Sequence, residues 1–368
     1  MKIALVYDRV NKWGGAERVL LALHEIWPKA PLYTAVYNRH TASWAKVFKV
    51  IPSFLNRISF FRNHHEILPF LTPMAFSQFD FSQFDVVLSV TSAEAKNLTI
   101  GSKTLHVCYC LTPTRYLWSH SKEYQKEGLK GKILSIFLPS LRKNDLHASK
   151  KVDQFLAISN QVKQRIKKYY QRESKIIYPP VDLNFSKLDE KIQDHIFYLV
   201  VSRLVPYKRI DLAIKACNKL SRNLIIIGTG SEEAKLKNLA GKTVKFLGYL
   251  TDKELYGYYK HCRALLFPGE EDFGITPVEA QSFGAPVIAY GKGGLLETVI
   301  NGKTGLFFSK QTEKSLIEAI LKFEQMKLEK EDCIKNSQKF NKSRFKKEIE
   351  AEINLLYKQF LEKKGIMI

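Results

Sequence analysis

The chain is best understood from the sequence Pro268-Gly-Glu-Glu-Asp-Phe-Gly-Ile-Thr-Pro-Val-Glu-Ala-Gln-Ser-Phe-Gly-Ala-Pro-Val-Ile-Ala289. The apolar run Ala264–Phe267 precedes it and predicts a buried strand, which the Pro-Gly pair ends with a turn. Three consecutive acids follow, and then Gly274, which lets the backbone approach another group closely because it has no Cβ. A second buried strand is predicted from Val287.

The residues between these strands predict a short helix. Thr276 is a good N-cap, Pro277 suits the first helical position, and Glu279 stands three residues after the cap, which together make a capping box. Gly284 is predicted to end the helix. The unit therefore reads strand, acidic loop, helix and strand, and its free helix N-terminus lies where α/β sheets hold ligands.

The spacing of the acids in this unit has a second interpretation. Glu271 and Glu279, with seven residues between them around Phe273-Gly274 and Pro277, resemble the donor-site signature of the retaining glycosyltransferases of family 4. In that family the second Glu holds the nucleotide ribose and the first faces the sugar at the reaction centre. From spacing alone the capping box is the favoured explanation of Glu279, and Glu271 is explained by a solvated surface acid.

Two cations follow an earlier predicted strand. Arg203 comes directly after the apolar run that ends near Ser202, and Lys208 comes five residues later. Two cations at a strand end can stabilise the charge that develops on a diphosphate leaving group. Taken alone they are two surface cations among 58, but with the acids downstream they resemble the family's diphosphate clamp.

The resemblance also implies the remaining donor contacts. Backbone amides at Gly274 and Ile275 are expected to reach the phosphate, and Phe273 and Glu271 to border the sugar. Loops at four further positions are expected to frame the base: Thr229, Gly230, Tyr249 and Leu250. No Asp-x-Asp occurs in the sequence, so we expect no metal and no cofactor, with Arg203, Lys208 and Glu271 as the catalytic residues.

The amino-terminal segment opens a second nucleotide-type α/β unit. The apolar run Lys2–Tyr7 predicts a strand rather than a signal peptide, and a helix with an apolar face follows Gly14-Gly15. Two adjacent glycines are compatible with a plain tight turn. Together with Ala-Glu-Arg they resemble the family's N-terminal glycine loop, whose amides reach the donor diphosphate or sugar across the cleft.

The sequence after Cys110 departs from the family pattern. Leu111-Thr-Pro-Thr-Arg-Tyr resembles a Cys-His-Thr-Pro motif followed by Arg-Tyr, with Leu111 in place of the His that commonly contacts the transferred sugar. This departure favours an altered sugar or acceptor preference, or loss of turnover. His106 on the preceding predicted strand is expected to be a core residue.

Composition limits the classes of function. A net charge of +22 requires an anionic partner, which leaves nucleic acid, an anionic membrane face or phosphate-bearing small molecules open. The five cysteines are scattered and fit no zinc pattern, which favours a reducing, cytoplasmic location without disulfides. No apolar run reaches the length of about 18 residues that a membrane-spanning helix needs.

Two basic and aromatic stretches are candidates for a membrane face. Residues 48–84 interleave phenylalanines with arginines and histidines, and residues 128–142 form a predicted basic amphipathic helix. The first stretch is also compatible with an ordinary helical pair that packs on its own domain. The hypothesis places the protein at the inner face of the plasma membrane, near a lipid-linked acceptor.

The resemblance covers about residues 1–345 and implies the GT-B fold, in which two Rossmann-like doubly wound parallel-sheet domains face a central cleft. We expect an acceptor domain at 1–180, a donor domain at 181–340 and a helix at 341–368 that crosses back to the first domain. The implied function is metal-independent, retaining transfer of a hexose, with GDP-mannose favoured, to a lipid-linked or saccharide acceptor in surface polysaccharide synthesis. The alternatives are a nucleotide-sugar-binding protein without turnover and a basic nucleic-acid-binding protein, although no nucleic-acid-binding module is recognisable.

Overall fold

The computed structural model describes residues 1–64, 71–125, 128–183 and 196–365. Contacts between Cα atoms divide the chain into two compact units, one made of Met1–Pro180 with Ser343–Ile368 and the other of Val181–Lys342. Each unit is built around its own parallel β-sheet.

The first unit contains a seven-stranded sheet in the order β3-β2-β1-β4-β5-β6-β7 within its described residues. Every recorded strand pair in it is parallel, as in the register Leu5↔Leu88. Strands β1, β4 and β5 are buried along their whole length, as expected for a parallel sheet covered on both faces. The strands are β1 (Ile3–Tyr7), β2 (Leu32–Thr34), β3 (Val50–Pro52), β4 (Val86–Thr91), β5 (Leu105–Cys110), β6 (Gln154–Ala157) and β7 (Ser174–Ile176).

Helices of the first unit connect these strands. They are α1 (Gly15–Ile26), α2 (Ser59–His64), α3 (Leu71–Ser77), α4 (Ser121–Gln125), α5 (Gly128–Lys151) and α6 (Asn160–Tyr170). The helix predicted at 128–142 is therefore longer than expected and runs on to Lys151. Part of the stretch 48–84, including Leu68 and Phe70, lies outside the described residues.

The second unit repeats the plan with a six-stranded sheet, counted over its described residues, in the order β10-β9-β8-β11-β12-β13. Its strands are β8 (Tyr198–Val201), β9 (Leu224–Ile227), β10 (Val244–Gly248), β11 (Ala264–Phe267), β12 (Val287–Tyr290) and β13 (Gly305–Phe308). Its helices are α7 (Ile210–Leu220), α8 (Glu233–Leu239), α9 (Asp252–His261), α10 (Ile275–Ser282), α11 (Leu295–Thr298), α12 (Glu313–Glu324) and α13 (Lys330–Ser337).

Alternation along the strands gives this sheet two cores. Tyr198 and Val200 face the core formed with α7 and α12, whereas Leu199, between them, faces the core that contains Tyr259 of α9. Successive side chains of a strand point to opposite faces, so an uninterrupted apolar strand is what this three-layer arrangement requires. The buried strands predicted at Ala264–Phe267 and from Val287 are confirmed.

The carboxy-terminal helix α14 (Lys342–Lys363) packs on the first unit. Phe345 is fully buried and its ring meets Tyr109 of β5 at 5.8 Å. Lys175 forms an ion pair with Glu352, and Arg344 donates to the carbonyl of Tyr178 at 2.9 Å. No helix in the described ranges is both long and apolar enough to cross a bilayer.

Candidate functional site

The strand order of the second unit reverses between β8 and β11, which are neighbours in the sheet but not in sequence. In open α/β sheets a crevice forms outside the carboxyl ends of the strands at such a switch point. The loop after β8 carries Arg203 and Lys208, and the loop after β11 carries Glu271 and Gly274. The fold thus brings the predicted cations and the predicted acidic loop to the same place.

Lys208 and Glu271 form a direct ion pair at this switch point. Both side chains are largely buried, with 13% of Lys208 and 16% of Glu271 exposed. The Lys208 ammonium also lies 5.2 Å from the centre of the Phe267 ring at the end of β11. The family resemblance implies a lysine at the diphosphate and a glutamate at the sugar, and the residue spacing does not indicate that the two groups are in contact.

Tyr207 connects the two predicted cations. Arg203 is exposed and donates a hydrogen bond from Nη2 to the Tyr207 hydroxyl at 2.7 Å. The Lys208 ammonium lies 5.5 Å from the centre of the same ring. The guanidinium and the ammonium therefore both contact one phenol at the end of β8, with the ammonium already paired to Glu271.

Glycines allow the loops of the site to approach one another. A Cβ on Gly269 would lie 3.0 Å from Lys208 Cα, and a Cβ on Gly294 would lie 2.4 Å from Phe273 Cα. The Gly294 amide donates to the Glu271 carbonyl at 2.8 Å. A larger residue at Gly269 would push the acidic loop away from the Lys208 loop, and one at Gly294 would push it away from the loop after β12.

The predicted capping box at Thr276 is wrong. Helix α10 begins at Ile275, and its N-cap is Gly274 with φ of +95° and no side-chain cap hydrogen bond. The left-handed conformation available to glycine starts the helix before Thr276. Glu279 is therefore turned inward, where it is 6% exposed and accepts a hydrogen bond from the Tyr259 hydroxyl at 3.2 Å.

The end of α10 follows the prediction. Gly284 has φ of +81°. Its amide donates to the Gln281 carbonyl and the Ala285 amide donates to the Ala280 carbonyl, which is the Schellman arrangement.

Phe273 occupies a different environment from the one expected. Its ring is 3% exposed and packs against Phe340 at 5.4 Å and 74°. The side chain belongs to the core of the second unit, so this residue can offer a ligand only its backbone. Gly274 and Ile275 remain at the N-terminus of α10, as predicted.

The loops after β9 and β10 extend the same edge. The Leu204 amide donates to the Thr229 carbonyl at 2.9 Å, and the Gly228 amide to the Gly248 carbonyl at 2.7 Å. Thr229 and Gly230 are exposed beside the Arg203 loop. Tyr249 is 73% exposed and Leu250 is half-buried, so these loops present a rim of accessible groups.

The first unit has its own switch point, between β1 and β4. The loop after β1 leads to Gly14, the N-cap of α1, and to Gly15, its first residue. In the first turn of α1 the buried Glu17 accepts a hydrogen bond from the Tyr7 hydroxyl at 2.7 Å, and burial raises the pKa of Glu17. Gly14 and Gly15 thus lie at the ligand edge of this sheet.

Sequence reasoning missed a carboxylate at this edge. Glu94, in the loop after β4, is half-buried and accepts a hydrogen bond from the Tyr116 hydroxyl. Burial, followed by the nearby charge of Asp8, raises the pKa of Glu94 to about 7. The signal in the sequence was the polar run 91–96 that directly follows an apolar strand.

A buried ion pair lies beneath the same loop. Lys96 and Asp145 meet at 2.5 Å with side chains 2% and 5% exposed. Asp145 also accepts hydrogen bonds from Trp118 Nε1 at 2.7 Å and from the Tyr170 hydroxyl at 2.8 Å. Because both charges are fully partnered, this network fixes the segment around Trp118 against α5 and α6.

The structure also shows the positions of His106, on β5, and of Leu111, directly after it. His106 is fully buried, contacts Ser89 Oγ at 2.9 Å, and has its pKa lowered to about 3 by burial. The expectation that it is a core residue is confirmed. Leu111 follows β5 directly and is half-buried. Its backbone amide donates a hydrogen bond to the Thr91 carbonyl at 2.8 Å.

Comparison with known proteins agrees with this geometry. Residues 184–340 match the family model described as Glycosyl transferases group 1. An uncharacterized glycosyltransferase of Methanocaldococcus jannaschii is 29% identical over 180 residues, which cover 48% of this chain and 50% of that protein. The human alpha-1,3/1,6-mannosyltransferase ALG2 is 28% identical over 186 residues, 40% of this chain and 45% of that protein. The matches thus span about half the length of these relatives.

Solved structures share the fold over nearly the whole chain. The Anabaena protein HepE, solved in complex with UDP and glucose, superposes with a TM-score of 0.71 at 18% identity and covers 96% of this chain and 99% of its own. The GT-B fold predicted from the sequence, with two parallel-sheet α/β domains, is confirmed.

Proposed function

Because residues 184–340 match the group 1 glycosyltransferases and the chain has the GT-B fold, we propose that this protein is a retaining glycosyltransferase. It transfers a hexose from a nucleotide sugar to a saccharide or lipid-linked acceptor. The donor binds at the switch point of the second unit, and the acceptor binds on the first unit.

The observation that carries the proposal is the Lys208–Glu271 pair beside Arg203. Departure of a nucleoside diphosphate places negative charge at the reaction centre, and preorganised cations stabilise that charge as it develops. Arg203 and Lys208, which both contact Tyr207, are the proposed cations, and Glu271 is the partner of the lysine. The two cations take the role that a metal ion has in other transferases, so transfer is expected to continue in EDTA.

Glu271 and Glu279 are proposed to contact different parts of the donor. Glu271 is held by Lys208 with 16% of its side chain exposed, which supports its proposed role as the carboxylate that borders the transferred sugar. Glu279 is oriented by the Tyr259 hydroxyl and binds the ribose hydroxyls. The backbone amides at Gly274 and Ile275 face the phosphates at a helix N-terminus.

Mannose from GDP-mannose is the favoured donor. The support is the similarity to a mannosyltransferase and the close match of the stretch around Glu271 to the mannosyltransferase-like branch of the family. A role in surface polysaccharide synthesis is proposed on the same resemblance. The UDP bound in the HepE structure makes UDP sugars the necessary comparison.

A peripheral position at an anionic membrane face completes the proposal. On the first unit, Ile133, Ile136 and Phe137 of α5 are exposed, as are Ile58 and Phe60 near α2. Exposed lysines accompany them on α5, and such a mixture suits a surface of acidic headgroups. Sedimentation with phosphatidylglycerol vesicles tests this: a double variant, Phe60→Asp and Ile136→Asp, should stay in the supernatant, and unchanged sedimentation would contradict it.

The test of the activity is a transfer assay with a panel of sugar nucleotides and an extract of polyprenyl-linked acceptors. We expect one sugar nucleotide to be consumed in the presence and absence of EDTA, and NMR to show the anomeric configuration of the donor retained. Inversion would refute the retaining mechanism. Binding of a nucleotide sugar without consumption of any donor would favour the alternative of binding without turnover, to which Leu111 points.

A further inference from the structure

The loop after β1 carries an exposed tryptophan that the proposed donor site does not use. Trp13 immediately precedes Gly14 and α1, and 41% of its surface is exposed. It stands at the switch point of the first unit, where α/β sheets bind ligands. A single exposed aromatic residue is common on protein surfaces, so the contacts around Trp13 are what indicate a ligand.

The loop that presents Trp13 is rigidly held. The Val10 amide donates to the Val36 carbonyl at 2.9 Å. Thr41 Oγ1 donates to the Asn11 carbonyl at 2.7 Å, and Trp44 Nε1 donates to the Lys12 carbonyl at 2.8 Å. Three consecutive residues are thus fixed to the segment 36–44, and Trp13, the next residue, keeps 41% of its surface exposed. A preorganised aromatic group loses little conformational entropy when it binds a ligand.

The neighbours of the indole favour a sugar over a purely apolar ligand. Trp44 lies 6.4 Å from Trp13 between ring centres at 53°, and the Arg18 guanidinium carbon lies 5.9 Å from the Trp13 ring centre. A pyranose ring has an apolar C–H face bordered by hydroxyl groups. It therefore matches a flat indole whose neighbour, the guanidinium over the ring, supplies hydrogen-bond donors for the sugar hydroxyls.

We propose that Trp13 is the stacking platform for a pyranose ring of the acceptor saccharide. This inference rests on the proposed function, because Trp13 would belong to the first unit, to which the proposal assigns acceptor binding. Trp13 acts in acceptor recognition and takes no part in donor binding.

The experiment is saturation-transfer NMR with methyl α-mannopyranoside, methyl β-glucopyranoside, methyl β-galactopyranoside and methyl N-acetyl-β-glucosaminide. At least one glycoside should receive saturation through its ring C–H protons. Its affinity should fall about 5- to 10-fold in Trp13→Leu, which keeps apolar bulk without a ring. Trp13→Phe, which keeps an aromatic face, should lose less than half of that effect.

Three outcomes overturn the inference. They are no saturation transfer to any glycoside, equal binding by wild type and Trp13→Leu, and equal losses in the Leu and Phe variants. Loss of phosphatidylglycerol vesicle binding in Trp13→Leu with glycoside binding unchanged would make this residue a membrane contact instead. Calorimetry with GDP and UDP on the same samples separates the two proposals. If the nucleotides bind normally but Trp13→Leu does not change glycoside binding, only the proposal for Trp13 is refuted and the proposed donor site stands.

Discussion

At the scale of single residues, Glu271 is the side chain on which the proposed transfer is expected to depend most. It is held by Lys208 at the switch point of the second unit. Glu271→Gln keeps the shape but removes the charge beside the sugar, so transfer should fall by about 100-fold or more while the affinity for the nucleoside diphosphate changes little. Initial rates and nucleotide titrations on the same preparation measure both. Parallel losses of rate and affinity would instead place Glu271 at the diphosphate.

The contact between Lys208 and Glu271 was not predictable from the sequence, although each of the two residues was predicted to belong to the site. Lys208 and Glu271 are 63 positions apart, and only the adjacency of β8 and β11 in the sheet brings them together. The error at Thr276 has a similar cause. Local spacing favoured a capping box, but a left-handed Gly274 started the helix earlier and turned Glu279 inward. Glycine conformation and strand order decide these contacts, and neither is encoded in residue spacing.

Glu94 should make stability depend on pH. Its folded pKa of about 7 lies above the ordinary 4.5, so the folded state binds this proton more tightly than the unfolded state. The contribution of Glu94 to the free energy of unfolding is therefore full below about pH 4.5 and is lost as pH rises through about 7. Glu94→Gln, which resembles the protonated acid, should gain stability relative to wild type between pH 5 and about pH 8.

Denaturant unfolding of both proteins at several pH values measures that difference. Tyr116→Phe is a useful second variant, because the Tyr116 hydrogen bond lowers the pKa of Glu94, and its removal should move the loss of stability to higher pH. A stability difference between Glu94→Gln and wild type that stays constant with pH would show that this carboxyl group does not titrate there.

At the scale of elements, the glycine loops position the site. Gly294 has φ of −64°, which any residue tolerates, but a Cβ there would lie 2.6 Å from the Asp272 carbonyl oxygen. Gly294→Ala should therefore destabilise the second unit by about 1–3 kcal/mol through steric overlap. It should also weaken nucleotide binding, because the acidic loop is displaced.

Urea unfolding and nucleotide titration test this prediction. Gly101→Ala is the matched control, since nothing lies within 4 Å of the added Cβ, and it should leave both properties unchanged. Wild-type nucleotide affinity in Gly294→Ala would mean that the loop does not position the ligand.

The strands and their glycine turns were the elements best predicted from sequence. Continuous apolar runs such as Ala264–Phe267 indicate strands of a parallel sheet that is covered on both faces. The environment of Phe273 was not predictable, because an aromatic residue beside a glycine fits a ligand contact and a core position equally well. Only the packing of Phe273 against Phe340 distinguishes them.

At the scale of the whole molecule, the chain returns to its first unit through α14. Phe345 is fully buried against Tyr109, so Phe345→Ala should reduce the stability of the first unit by about 3–5 kcal/mol. Nucleotide binding by the second unit should persist at temperatures below the unfolding transition. Calorimetric scans with and without nucleotide separate the two effects, and an unchanged unfolding temperature would contradict the packing of α14.

Nucleoside diphosphate binding is the most direct test of the central claim, that the two cations after β8 and the acids after β11 form one donor site. Isothermal titration with GDP and UDP should show binding of at least one by wild type. Arg203→Ala and the charge-balanced double variant Lys208→Met/Glu271→Gln should each bind about 10-fold more weakly or worse. If wild type binds neither nucleotide, or if both variants bind as tightly as wild type, the site is not where we have placed it.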